Sequence, residues 1–144
     1  MLRQLTALAV VGLLLVTVRP VRADDQEKIQ GVWRAEKGVK GGKEGPADEI
    51  KQLSLEFKGN KVIPRHGDQG DHEGEFKLDT TKKPKEIDLM IDKNGKKDHA
   101  KGIYELDGDT LKICLMDGDG DRPSKFESAD GSKSLLIVLK REKK

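Results

Sequence analysis

Residues 100–116 read AKGIYELDGDTLKICLM, and this stretch decides the fold. AKGIYELD (100–107) and DTLKICLM (109–116) are apolar-rich runs of strand length on either side of Gly108. An Asp-Gly pair between two such runs signals a tight β-hairpin, because those residues accept the left-handed backbone of the turn. The same rhythm recurs on both sides. Upstream, KEIDLMID (85–92) places Ile87, Leu89 and Ile91 on one face and Asp88 and Asp92 on the other. Asn94-Gly95 then marks a second hairpin leading into residue 100. Downstream, SLLIVLKRE (134–142) reads as a long final strand.

Further upstream the pattern continues. GVWRAEK (31–37), QLSLEF (52–57), KVIPR (61–65) and EFKLD (75–79) each read as strands, with Gly59-Asn60 and TTKKP (80–84) as turns. DDQEKIQ (24–30) reads as a polar lead-in of one helical turn. GVKGGKEGPADE (38–49) and PRHGDQGDHEGE (64–75) read as Gly-rich loops, and SKFES (124–128) as a short strand. The sum is eight or nine short strands and no sustained helical period. That predicts an all-β, up-and-down antiparallel barrel, whose closure removes the exposed edges that SLLIVL would otherwise present.

The first 23 residues differ from the rest. Arg3 precedes an apolar run from Leu5 to Val18, broken only by Thr6, Gly12 and Thr17. Val21 and Ala23 then form the small-residue pattern of a signal-peptidase site. The run is shorter than the roughly 20 apolar residues of a spanning helix. The expected organisation is a signal peptide over 1–23 and one domain over 24–144. The protein is then exported, periplasmic or extracellular, with no stable membrane span after cleavage.

Cleavage removes three of the 28 basic residues and no acid, which leaves 25 against 26 and a net charge of −1. Global charge therefore gives no reason to expect a nucleic-acid partner. Apolar residues fall to roughly 28% of the mature chain, a thin core for a small domain. A monomer is expected. Cys114, the one cysteine, has no partner for an internal disulfide and sits in an apolar run, so it reads as a buried thiol.

GVWRAE, TKKPKEIDL, GIYELDGDTLKIC, DRPSKF and the terminal LLIVLKRE together resemble an uncharacterised secreted domain family named for planctomycete bacteria and described as lipocalin-like, a calycin-type barrel. The resemblance runs from about Ile29 to Glu142 and includes Arg122-Pro123. It implies a fold and carries no activity or cofactor. Lipocalin-like barrels also resemble one another in a Gly-x-Trp on the first strand and an Arg near the end of the last. Gly31 and Trp33 match the first feature, and Arg141 is the candidate cation to lie across the indole. By strand parity Lys140 points the other way.

Chemical motifs are sparse. Asp117, Asp119 and Asp121 open like a calcium loop of the EF-hand type. However, Arg122 stands where the invariant glycine belongs, and Ser128 where the bidentate glutamate belongs. The stretch therefore reads as a hairpin turn, with a weak cation site as the alternative. His66, Asp68, Asp71, His72, Glu73 and Glu75 crowd one loop without zinc spacing. Asp88, Asp107 and Asp109 are the carboxylates that acid–base chemistry would need, but no nucleophile elbow, P-loop or dinucleotide fingerprint accompanies them. The chain is read as non-catalytic, with no cofactor and no metal.

Two functions remain. The first is a structural or interaction module of the cell envelope, contacting protein or glycan through loops or outer face. The alternative is a carrier of a small apolar ligand lined by Phe57, Phe76, Leu89, Tyr104 and Ile113, with the Tyr104 hydroxyl as its polar handle.

Overall fold

A computed structural model describes residues 24–67, 72–93, 95–118 and 120–143. The expected signal segment lies outside these residues, as do Asp68, Asp71, Asn94 and Asp119. The elements are α1 (Asp25–Lys28), β1 (Gly31–Lys40), β2 (Lys43–Glu44), α2 (Ala47–Ile50), β3 (Leu53–Lys58), β4 (Lys61–His66), β5 (Gly74–Asp79), β6 (Lys85–Lys93), β7 (Lys96–Asp107), β8 (Thr110–Asp117) and β9 (Ser134–Arg141). Every strand from β3 to β9 pairs antiparallel with its sequence neighbour, and β9 returns to pair with β1. The result is a closed eight-stranded up-and-down barrel, with β2 as a short extra strand on β1.

The hairpin at Gly108 forms as its sequence demands. Asp107 faces Thr110 across the turn, Gly108 has φ 57°, and the register continues through Tyr104↔Ile113 to Ala100↔Asp117. Alternation then sorts the side chains. Phe57, Val62, Phe76, Ile87, Leu89, Tyr104, Leu111, Ile113 and Leu139 pack into one interior cluster with Trp33 and Ile29. Phe57 and Phe76 meet edge-to-face with ring centroids 4.9 Å apart.

The barrel base is sealed by the segment before β1. Trp33 is fully buried, and its indole N–H donates to the Ile29 carbonyl at 2.8 Å. Arg141 lies over the indole face at 4.3 Å. Its guanidinium donates to the carbonyls of Gln30 (2.7 Å) and Lys28. Gly31 makes this possible. It has φ 119°, and a Cβ there would come within 3.1 Å of the Arg141 guanidinium. Lys140 points outward and pairs with Glu36 at 3.7 Å. The polar lead-in forms the expected helical turn, capped by Asp24. Gln26 and Gln30 hold it to the β3–β4 turn through the Gly59 carbonyl.

The opposite end differs from the sequence reading. The stretch 38–49 is not a plain loop: β1 runs on to Lys40, and β2 and α2 follow. A bulge between Ala35 and Lys37 resets the register, so Gly38 pairs with Ile137 on the inward face. Ile50 of α2 fills the space a side chain at position 38 would take, since a Cβ there would sit 2.7 Å from its Cδ1. The far-end connection thus inserts an apolar side chain against the core.

A second correction concerns residues 118–133. SKFES forms no strand; it lies in the connection between β8 and β9, which pair directly. The intervening chain is a strap across the outside of β7 and β8. Ile103 and Cys114 face outward, pair with each other across the strands, and are nonetheless buried. The Cys114 thiol donates to the Glu127 carbonyl of the strap at 3.4 Å. Outward apolar side chains needed a cover, and the strap supplies it.

Replacing Trp33 with Ala should cost about 3–5 kcal/mol in urea unfolding, the range for a large buried aromatic. Arg141→Ala should cost about 1–3 kcal/mol, because two carbonyls at the base lose their donor. Lys140→Ala, a change to an exposed pair, should stay within about 0.5 kcal/mol of wild type.

Candidate functional site

The five residues expected to line a ligand chamber all fall in the packed interior. Phe57, Phe76, Leu89, Tyr104 and Ile113 are each 3% exposed or less and share one buried apolar cluster with Trp33, Ile87, Leu111 and Leu139. The less buried interior positions, Leu53, Leu55, Ala100 and Ile137, stand nearer the α2 end.

Tyr104 is not free to serve a ligand either. Its hydroxyl donates to Asp25 Oδ2 at 2.7 Å, and Lys85 Nζ donates to the same oxygen at 2.7 Å. Burial, reinforced by the Asp25 charge, raises the Tyr104 phenol far above its ordinary value. For Asp25, burial alone would raise the carboxyl. The hydrogen bonds from Lys85 and Tyr104, with the charges of Lys85 and Lys28, outweigh that and hold it below its ordinary 3.8. This trio ties α1 to β6 and β7. It was missed in the sequence because Asp25 lies 60 residues from Lys85 and 79 from Tyr104. The one available signal was Lys85, which occupies an inward parity position at the start of β6 and therefore needs a partner.

Some of the other polar candidates are likewise engaged in holding the fold. Arg122 of the strap donates to the carbonyls of Gly102 (2.8 Å) and Ile87 (3.2 Å) and pairs with Asp88 at 2.8 Å. Pro123 follows it, half-buried. Asp88 also lies 3.8 Å from His99 Nε2. Asp107 and Asp109 flank the exposed Gly108 turn, with Asp109 3.5 Å from Arg141 Nε. His66 and His72 are exposed, while Asp68 and Asp71 from the same loop lie outside the described residues. The calcium reading of the Asp-rich stretch likewise rests on Asp119, outside them. Among the described residues, no three His, Cys, Asp or Glu side chains converge as metal ligands.

Several concave surfaces lie outside the barrel. A groove of about 370 Å³ beside the short β4–β5 seam mixes Lys61 and Lys97 with Glu73, Glu75 and Asp92. One of about 520 Å³ follows the β1–β9 seam, spanned by the Arg34–Glu142 and Lys140–Glu36 pairs. A third, of about 270 Å³, lies between the β5–β6 connection and the strap. Among the described residues no helix is long and apolar enough to cross a membrane.

The fold and this site define a closed eight-stranded antiparallel barrel with a sealed base and a strapped outer face. The chain matches no protein-family model, no curated protein and no solved structure.

Two outcomes follow from these contacts. Asp25→Asn should destabilise the protein by about 1–3 kcal/mol at pH 7, since a buried carboxylate loses its charge-assisted bonds. Because the folded carboxyl sits below its unfolded value, its contribution is complete above about pH 4 and is lost as pH falls through the folded value. The gap between wild-type and variant melting temperatures should therefore shrink on acidification below pH 4. Arg122→Ala should free the strap. Cys114, whose thiol burial pushes upward in pKa, should then react with a disulfide reagent markedly faster than in the wild type.

Proposed function

We propose that this chain is an exported, non-catalytic member of the lipocalin-like secreted domain family. In this reading it serves as a monomeric interaction module of the cell envelope, working through its outer face. The observation that carries the reading is the occupation of the interior. The side chains positioned to line a ligand chamber pack on one another, and the hydroxyl that would orient a ligand is committed to Asp25. Several grooves, by contrast, lie outside, edged by charged residues. The Gly31–Trp33–Arg141 arrangement at the base supports the lipocalin-like reading, and the apolar run of residues 5–18 supports export.

The carrier remains the second reading, favoured by the half-buried apolar positions Leu53, Leu55, Ala100 and Ile137 near α2. Native mass spectrometry of the protein purified from its own host separates the two. The module reading expects the mass of residues 24–144 with no small molecule attached. A stoichiometric apolar compound released on unfolding would overturn it in favour of the carrier. Retention of residues 1–23 would overturn the cleaved signal.

A further inference from the structure

The groove between the β5–β6 connection and the strap sets exposed lysines beside an aromatic ring. Lys82 and Lys83 stand exposed on one wall, and Lys85 begins β6 beside them. Its apolar lining comes from Pro84, Leu106 and the half-buried ring of Phe126. Glu105 is the one acid among the groove's lining residues, against three lysines. Asp79, close by, is already engaged: bonds from the Thr81 hydroxyl and N–H hold its carboxyl below the ordinary range, and Lys82 adds a weaker pull. Lys85 is held by Asp25. The Lys83 ammonium has no ion-pair partner among the described residues.

From this juxtaposition of the exposed Lys82 and Lys83 with an apolar wall we infer that the groove binds an anionic polysaccharide, one sugar unit at a time. The inference rests on the reading of the chain as an interaction module and names the partner of its outer face. The volume, about 270 Å³, falls below the roughly 300–1,000 Å³ that encloses a complete drug-sized ligand. It suits one unit of a longer chain. The ring of Phe126 and Pro84 receive the C–H face of a sugar, while Lys82 and Lys83 meet its carboxylate or sulfate. A single-stranded nucleic acid fits less well. It needs a succession of exposed stacking rings, and of the two aromatic residues lining this groove Tyr104 is buried, which leaves Phe126.

Affinity electrophoresis at low salt tests this, with wild type and the double variant Lys82→Glu/Lys83→Glu run through gels containing alginate, dextran sulfate or neutral dextran. Both lysines are exposed, so the variant should melt at the wild-type temperature. The expected result is retardation of the wild type by an anionic polysaccharide and not by neutral dextran, with affinity falling at least about tenfold in the variant. The stronger of the two anionic gels tells a uronate from a sulfated sugar. No retardation, equal retardation of the variant, or retention by oligo-dT or polyglutamate as strong as by the polysaccharides would each overturn the inference. If polysaccharide binding fails while the native mass spectrum is bare, only this inference falls. A bound apolar compound in that spectrum removes the module reading and this with it.

Discussion

The base of the barrel depends on one guanidinium. Closing eight strands leaves the end of β9 beside the start of β1, so Arg141 comes to lie on Trp33. The incoming chain must pass beneath them with its carbonyls cut off from strand partners. Arg141 satisfies those of Lys28 and Gln30, and the indole N–H satisfies that of Ile29. Three consecutive backbone acceptors are thereby partnered at the edge of the core, where each unsatisfied one would cost about 1–3 kcal/mol. A lysine at 141 would supply a point charge and no fork, and could not serve two carbonyls while lying flat on a ring.

The same segment carries Asp25 into the barrel, so the seal and the buried carboxylate are one device. Asp25 pays its desolvation with two short bonds, and in return α1 is locked to β6 and β7. The far end uses a different means, an isoleucine from α2 over an inward glycine. The outer face uses a third, the strap pinned by Arg122 over Ile103 and Cys114. A chain with so few apolar residues gains core area by covering part of its barrel on the outside as well as filling it within.

These devices also engage several of the side chains that the sequence singles out. Asp88 answers Arg122, Asp109 lies against Arg141, and Tyr104 answers Asp25. Among the described residues, Lys83 in the β5–β6 connection is one of the exposed lysines that join no ion pair.

The strands were legible because their determinants are local. Period-two alternation and the Asp-Gly turn specify pairing between neighbours, and seven such pairings in a row leave closure as the outcome that buries both edges. Trp33 and Arg141 were legible as a pair through strand parity and family resemblance. The strap was not, because 120–133 carries turn residues whichever way the chain runs, and only the folded barrel brings Glu127 to Cys114 and Arg122 to Gly102. The Asp25–Lys85–Tyr104 trio was not, because no local pattern links residues so far apart. Nor did parity distinguish a lined chamber from a filled one. It says which side chains face inward; whether they meet depends on how tightly eight strands curl, and that is a property of the closed barrel alone.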